Sequence, residues 1–248
     1  MLALGHEVLR TEDAVLVRNR DLPDIWDANH AQHVSAATPA AIDRLLARMD
    51  DVYAASGHRR LDCDFTTPPG LEARLVLDGF HRRDFLVLLL EGEPHGRVGT
   101  PDIRACADAA GWEAFTALKV ADWKELAGRV DLAPSDTVGE ALARTARLRA
   151  PAVRYWLAFD GGEPRGFLCS WEGVDGVGQV EDLYVHPTAR GRGIAAALLH
   201  HGIADCRRHG ARAVVIVADA GDTPKAAYAR MGFAPVAVKR EYVRRVTR

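Results

Sequence analysis

The chain has 248 residues, of which 48% are hydrophobic and 27% are charged, and its formal net charge is -2. This composition is typical of a soluble globular protein with one large domain or two of ordinary size, and it excludes a disordered or fibrous chain. Because the net charge is close to zero, no global field draws the protein to nucleic acid or to an anionic membrane, so any anion site must be local.

The lengths of the apolar runs and the spacing of the cysteines indicate in which cellular compartment the protein resides. The longest apolar runs, such as 85-FLVLLL-90, are far shorter than the roughly 20 residues that cross a bilayer. The start, 1-MLALGHEVLRTED-13, has no basic segment followed by a long apolar one, so we expect no signal peptide. The four cysteines are widely spaced and fit neither a zinc site nor a disulfide scaffold. We therefore expect a cytoplasmic protein with reduced thiols.

The N-terminal half combines one helix pattern with two strand patterns. A helix-like run ends at Gly57, and a strand-like run follows at 58–65. The pair 79-GF-80 then precedes the apolar strand-like run 85–90.

A clear break follows this half. The segment 91-EGEPHGRVGTPD-102 is polar and rich in glycine and proline. We place a domain boundary near residue 98, which predicts one domain at 1–98 and a second at 99–248.

The C-terminal half begins with two helices and continues with strands. The predicted elements are helices at 103–127 and 135–150, strands at 152–159, 165–172 and 179–185, a helix at 193–209, a strand at 212–218, a helix at 223–231 and a last strand pair within 236–246. The turn-forming segment 160-DGGEP-164 makes the first two strands a hairpin. The order is therefore helix, helix, three antiparallel strands, helix, strand, helix, strand.

The two halves share a spacing. The interval from Gly57 to 79-GF-80 is within one residue of the interval from Gly210 to 232-GF-233, and a helix-like run precedes each first glycine. Such long self-similarity predicts a duplicated, tandem architecture. At the place of 188-TARGRGIA-195, however, the N-terminal half has 35-SAATPAAI-42, which contains no glycine and no basic residue. We expect this half to bind no cofactor.

The segment 186-HPTARGRG-193, called here the glycine loop, joins a predicted strand to a predicted helix. Gly191 and Gly193 let the backbone curl around a guest with no Cβ in the way. The unpaired amides at the helix start and the helix dipole form an anion site, to which Arg190 and Arg192 can add charge-assisted hydrogen bonds. The sequence therefore predicts a site for a phosphate-type anion, most naturally a diphosphate.

Two other interpretations of the glycine loop are open. It could be a solvated basic turn, or a dinucleotide-binding loop, because Gly191-x-Gly193-x-x-Ala196 satisfies the GxGxxG/A string and Asp219 ends the next strand. Against the dinucleotide, five residues separate Val185 at the strand end from the first glycine, and only about thirty residues remain after Asp219. Too little chain is left for the remaining parallel strands.

The run 180-VEDLYVHPTARGRGIAAALL-199 resembles the acyl-CoA-binding motif of the GNAT superfamily of N-acetyltransferases, whose pattern is Arg/Gln-x-x-Gly-x-Gly/Ala. The strand order and 228-YARMGF-233 agree with that family, and the resemblance covers about 103–248. It implies an α/β (α+β) GNAT fold with a central mixed, mostly antiparallel sheet flanked by helices, in tandem, with acetyl-CoA as cosubstrate and no metal. The residues implied to hold the coenzyme diphosphate are Arg190, Gly191, Arg192, Gly193, Ile194 and Ala195, and those implied to pair with its pantetheine arm are Leu183, Tyr184 and Val185.

The resemblance also implies direct transfer of an acetyl group from the thioester to an amine. An alkyl amine has a pKa near 10 or above, so a base must remove its proton. Glu181 is the first candidate base and Asp182 the reserve. Strand alternation predicts that Glu181 shares a face with Leu183, while Asp182 and Tyr184 face the other way. Tyr228 matches the family tyrosine implied as the general acid for the leaving thiolate, and a phenol can donate without being charged.

Other polar and aromatic residues carry weaker expectations. The segment 219-DAGDTPK-225 lacks the asparagine that the family often has here, so no coenzyme contact is carried over to it. The histidines His200, His201 and His209 lack neighbours at metal-ligand spacing and are expected to pack or to face solvent. The aromatic residues Trp112, Phe115 and Trp123 are expected in the core, with a substrate contact as the alternative.

The predicted function is an N-acetyltransferase that uses acetyl-CoA and a primary amine, the amine being that of a small molecule. A protein or peptide amine is the alternative acceptor, and a non-catalytic acyl-CoA sensor is the alternative class. No nucleic acid or membrane partner is expected. The oligomeric state, monomer or homodimer, stays open.

Overall fold

The computed structural model describes residues 1–129, 134–221 and 224–246. The elements in chain order are β1 (Glu7–Arg10), β2 (Val15–Arg18), β3 (His30–Gln32), α1 (Pro39–Val52), β4 (His58–Cys63), α2 (Pro69–Leu77), β5 (His81–Leu90), β6 (Asp102–Ala105), α3 (Ala109–Arg129), α4 (Asp136–Arg149), β7 (Val153–Asp160), β8 (Glu163–Val174), β9 (Val177–Val185), α5 (Ile194–Arg208), β10 (Ala213–Asp219), α6 (Pro224–Arg230) and β11 (Ala234–Arg245). The predicted mixed α/β class is confirmed.

The chain divides into two compact units. The loop-bearing unit consists of Leu88–Ile216 and Ala226–Ala234 together with Met1, and it contains the glycine loop. The terminal unit consists of Leu2–Val87, Val217–Lys225 and Pro235–Arg248, and it contains the C-terminus. Because both units are discontinuous in sequence, the division into domains 1–98 and 99–248 stays a prediction.

The terminal unit contains a mixed sheet. Strands β1, β2 and β3 form an antiparallel meander, and β4 runs parallel to β3. Strand β11 pairs antiparallel with β4, from Arg240 opposite Cys63 to Arg245 opposite His58. The predicted strand pair within 236–246 is therefore wrong, since this segment is part of one strand. It contains no glycine, proline, asparagine or aspartate that could form a tight turn, and β4 supplies its partner.

The loop-bearing unit has a sheet with helices on both faces. Strands β6 to β9 are antiparallel neighbours, and β10 runs parallel to β9. Helix α5 packs so closely against one face of the sheet that a Cβ at Gly202 would collide with the side chain of Leu168. On the other face, Phe115 of α3 stacks against Tyr155 and Phe167, with ring centroids 5.2 and 4.9 Å away. The expected core position of Phe115 is thus confirmed.

The order of elements repeats along the chain. Three antiparallel strands, a helix, a strand parallel to the third, a second helix and a last strand occur as β1–β5 with α1 and α2. The same order recurs as β7–β11 with α5 and α6. This repetition supports the duplication predicted from the glycine spacing. In the described chain, α3 and α4 have no counterpart in the first copy.

Two buried histidines of the terminal unit make its stability sensitive to acid. His30 is fully buried, and neither ring nitrogen has a partner in the described chain. His58 is nearly as buried, and its Nε2 lies 3.0 Å from the Asn29 carbonyl oxygen. Burial lowers the pKa of each imidazole from 6.5 to about 4. Their contribution to stability is therefore complete above pH 6.5 and is lost as the pH falls toward 4, since only the unfolded state binds the protons.

Replacing His30 with Leu is expected to halve this loss, because one of the two protons is no longer taken up on unfolding. Each histidine changes the free energy of unfolding by about 1.4 kcal/mol per pH unit near pH 5. Urea unfolding at pH 7, 6 and 5 measures the slope. His33→Asn is the matched control, since His33 is exposed and Asn tolerates its φ of 51°. Equal slopes for wild type and His30→Leu would contradict the assignment.

Candidate active site

The glycine loop turns through two left-handed residues into an uncapped helix. Gly191 has φ 79° and Gly193 has φ 76°, while the intervening Arg192 does not have a positive φ. Gly193 precedes α5 and offers no side chain to cap it. In the part of the chain that the structure describes, the amides at 191–196 donate to no acceptor. Such a row of free donors at a helix start is an anion-binding concavity, as the sequence predicts.

The two loop arginines are held by neighbouring groups. Arg190 donates to the Val185 carbonyl at 3.0 Å and to the Glu125 carboxylate at 2.6 Å. Arg192 donates to the Asp160 carboxylate at 2.6 Å. Both arginines are exposed, so these ion pairs contribute little stability. Because protein oxygens already engage both guanidinium groups, the amides and the helix dipole are the groups left open to an anion, and any contact of the arginines with a ligand remains a proposal.

Gly99 is a loop neighbour that the sequence analysis missed. Its amide donates to the Gly193 carbonyl at 3.2 Å, and a Cβ on Gly99 would collide with the Arg192 carbonyl oxygen. Conversely, a Cβ on Gly193 would lie 2.5 Å from the Gly99 nitrogen. Because neither Gly99 nor Gly193 has a Cβ, the two backbone segments can come into direct contact. The composition of segment 91–102 predicts only a domain break, and sequence periodicity gives no signal for such a long-range contact.

Strand β9 has an open edge where it approaches the glycine loop. Its parallel pairing with β10 runs from Val177 opposite Ala213 to Gln179 opposite Val215 and does not extend further along the described chain. On its other side β9 stays paired with β8 as far as Val185. Tyr184 and Val185 therefore have a sheet partner in β8 on one side, and an extended ligand could pair with the other side of this part of β9.

A β-bulge in β9 changes which residues share a face. Glu181 lies opposite Cys169 and Tyr184 lies opposite Phe167, so two residues of β9 face the single Leu168. The bulge contains Asp182, whose φ is 62°. Because one residue is inserted, the alternation shifts by one. Glu181 therefore shares a face with Tyr184, and the prediction that it shares one with Leu183 is wrong.

The two candidate bases have different partners. Asp182 accepts a hydrogen bond from the Lys119 ammonium at 2.6 Å, and Lys119 also binds Asp122 at 3.1 Å. Burial opposes the charge of Lys119, but Asp182 and Asp122 outweigh it and raise the lysine pKa. Glu181 is half-buried and accepts a hydrogen bond from the Gln179 amide at 3.0 Å. A proton on Asp182 would disrupt its ion pair with Lys119.

Tyr228 is a buried residue of α6. It is 7% exposed, and its ring meets that of Phe233 edge-on at 6.2 Å between centroids. The Phe233 amide donates to the Tyr228 carbonyl at 3.1 Å, which ends the helix in the Gly232–Phe233 turn. Asp222 and Thr223, which stand in the segment where the family often has an asparagine, lie outside the described residues.

Other sequence expectations concern metals, membranes and thiols. Among the described residues, no group of three His, Cys, Asp or Glu side chains is placed to hold a metal ion. None of the helices that the structure describes has the length and hydropathy of a membrane span. All four cysteines are buried free thiols. His201 packs against Trp156 at 4.3 Å between ring centroids.

The loop-bearing unit is thus an α/β domain in which a bulged strand leads through the glycine loop into an uncapped helix. Residues 112–233 match the acetyltransferase (GNAT) family model. Residues 112–233 therefore form a GNAT acetyltransferase domain, and the resemblance inferred from the glycine loop is confirmed. No curated protein matches the chain.

Solved structures share the fold over nearly the whole chain. A functionally unknown conserved protein of Staphylococcus epidermidis is 13% identical with a TM-score of 0.74, covering 98% of this chain and 95% of its own. A GCN5-related N-acetyltransferase from Kribbella flavida is 18% identical with a TM-score of 0.69, covering 96% and 89%. A tandem GNAT protein from the clavulanic acid biosynthesis pathway is 14% identical with a TM-score of 0.59, covering 97% and 82%. At these identities the likeness establishes the fold alone.

Proposed function

We propose that the chain is a cytoplasmic, acetyl-CoA-dependent N-acetyltransferase that transfers the acetyl group directly to a primary amine of a small molecule. The row of unsatisfied amides at 191–196, beside the open edge of β9, carries this proposal. A diphosphate needs several donors converging on it, and these amides together with the positive end of α5 supply them. The four free thiols support a reducing compartment.

The open edge of β9 suits the rest of the coenzyme. The pantetheine arm contains amide groups that an extended backbone can pair with, as an added strand does. Leu183, Tyr184 and Val185 would hold this arm, and residues 190–195 would hold the diphosphate. Acetyl-CoA then supplies an acyl thioester, which an amine can attack without a covalent enzyme intermediate.

Two side chains are assigned to proton transfer. Glu181 would take the proton from the attacking amine, because it is half-buried on β9 and accepts a neutral hydrogen bond from Gln179, whereas Asp182 is engaged by the Lys119 ammonium. Tyr228 would donate its hydroxyl proton to the leaving sulfur, which a neutral phenol can do. Asp182 stays the reserve base.

A comparison of two helix starts supports one coenzyme site per chain. In the terminal unit, Thr38 caps α1, and its hydroxyl oxygen accepts a hydrogen bond from the Ala41 amide at 3.2 Å. In the loop-bearing unit, α5 begins after Gly193 without a side-chain cap. A helix start that is satisfied by its own threonine offers fewer donors to an anion.

The proposal is tested by release of free coenzyme A thiol from acetyl-CoA across a panel of small amines and peptides. We expect turnover with small amines, and a rise in Tm with acetyl-CoA alone. Gly193→Ala is expected to weaken acetyl-CoA binding about 10-fold or more, because the added Cβ meets Gly99 and strains a left-handed backbone. Gly191→Ala has the same strain but open space, so its effect is expected to be smaller.

The matched control is Gly128→Ala, because this glycine lies on α3 with open space around its Cα. It should leave acetyl-CoA binding unchanged. Turnover restricted to peptides would replace the small-molecule acceptor by the peptide alternative. A rise in Tm with acetyl-CoA but no turnover on any acceptor would favour a non-catalytic acyl-CoA sensor.

A further inference from the structure

Arg149, the last residue of α4, is a buried cation without a counter-ion. It is 7% exposed, and it forms no ion pair with any carboxylate of the described residues. Its Nε and Nη2 atoms are buried and have no hydrogen-bond partner in the described chain. Buried charges in proteins are otherwise paired, because an unpaired one is costly. This arginine therefore lacks a partner that its burial requires.

The two unsatisfied nitrogens define the shape of the missing partner. Nε and Nη2 lie on the same side of the guanidinium and donate two parallel hydrogen bonds in one plane. This fork matches the two oxygens of a carboxylate, which it binds in a bidentate way. A neutral amide or hydroxyl could satisfy only part of the fork and would leave the charge uncompensated.

Arg149 lies beside the strand row that contains the proposed base. Tyr155, Cys169 and Glu181 are direct neighbours across β7, β8 and β9, on the sheet face that carries α3. Burial raises the pKa of the Cys169 thiol, Asp182 and Glu181 raise it further, and Arg149 and Lys119 lower it, so the charges of Glu181 and Arg149 both act on this sulfur. The charge of Arg149 also lowers the pKa of Tyr155, against the larger effect of burial.

We infer that the acceptor of this enzyme is an amine that also carries a carboxylate, and that Arg149 binds this carboxylate through Nε and Nη2. This inference rests on the proposed function, since it places the acceptor amine near Glu181. It narrows the acceptor class to amino acids and related amino carboxylates. Arg149 is a specificity-determining residue that fixes one end of the substrate while its amine reaches the base.

The test compares each amino carboxylate with its carboxamide in the thiol-release assay. The kcat/KM values are compared at their pH-independent limit, because the amide changes the pKa of the neighbouring amine. Wild type is expected to prefer the carboxylate about 100-fold, as a site built for a charged group rejects the analogue that lacks it. In Arg149→Met this preference is expected to vanish, mainly through a higher KM for the carboxylate.

Arg147→Met is the matched control. Arg147 lies on the same turn of α4, but it is exposed and rests over the Trp112 ring at 5.8 Å. Its loss should leave the carboxylate preference unchanged. The Tm of Arg149→Met is expected to equal or exceed that of wild type, since two buried N–H groups without acceptors are removed.

A binding measurement separates this inference from the proposed function. Succinate and benzoate, which carry no amine, are expected to raise the Tm of wild type but not of Arg149→Met, while succinamide and benzamide raise neither. Carboxylate-dependent stabilisation without acetyl-CoA turnover would support the Arg149 site and reject the enzyme. Equal turnover of carboxylates and carboxamides by wild type, or a lower Tm with unchanged preference in Arg149→Met, would overturn the inference and leave the enzyme standing.

Discussion

Glu181→Gln is expected to lower kcat about 100-fold while the rise in Tm caused by acetyl-CoA stays the same. The physical reason is that the amide keeps the shape of the side chain and can still contact Gln179, which lies 3.0 Å away, but it cannot accept the proton of the ammonium substrate. The measurement is kcat and KM by thiol release, together with the dependence of kcat/KM on pH. The limb of that profile that reports the enzyme base should disappear in the variant.

Two further variants test whether the loss of kcat is specific to Glu181. Glu172→Gln removes an exposed carboxylate of β8 and should leave kcat unchanged. In Asp182→Asn the new side chain also tolerates a φ of 62°, but the ion pair with the buried Lys119 is lost. We expect it to lower stability more than kcat. A full loss of kcat in Asp182→Asn, with Glu181→Gln unimpaired, would transfer the role of base to Asp182.

Tyr228→Phe is expected to lower kcat about 100-fold or more without changing the affinity for acetyl-CoA. The ring that packs edge-on against Phe233 is kept, so the fold of α6 should not change. Only the hydroxyl that is proposed to donate a proton to the leaving sulfur is lost. The rate is measured with saturating amine and acetyl-CoA, and the Tm shift by acetyl-CoA is measured on the same preparation.

The matched control removes a buried hydroxyl elsewhere. Tyr242 of β11 donates to the Glu72 carboxylate at 2.8 Å and is 1% exposed. Tyr242→Phe should lower stability by about 2 kcal/mol, the net value of a hydrogen bond to a charged acceptor, and leave kcat unchanged. If Tyr228→Phe behaves like Tyr242→Phe, Tyr228 is a packing residue and a solvent proton serves the leaving group.

Helix ends and tight turns were the parts of the fold most accessible to sequence reasoning. Helix α5 was expected at 193–209 and lies at Ile194–Arg208, since glycines mark both of its ends. The hairpin of β7 and β8 follows from the turn residues at 160–164. These features depend on neighbours in the chain, so composition and spacing suffice. The same holds for the anion-binding character of the glycine loop, which arises from local backbone geometry.

Contacts between distant residues were decided only by the tertiary structure. The bulge at Asp182 reverses the faces of β9 because register depends on the partner strand β8. Strand β11 extends as one strand because β4, far away in sequence, pairs with it.

The sequence alone therefore determined the family, the anion loop and the candidates Glu181 and Tyr228, because a motif is local chemistry. The approach of Gly99 to Gly193, the ion pair of Asp182 with Lys119 and the buried fork of Arg149 depend on which groups folding brings together. Burial and pairing are properties of the packed chain, and no spacing rule specifies them.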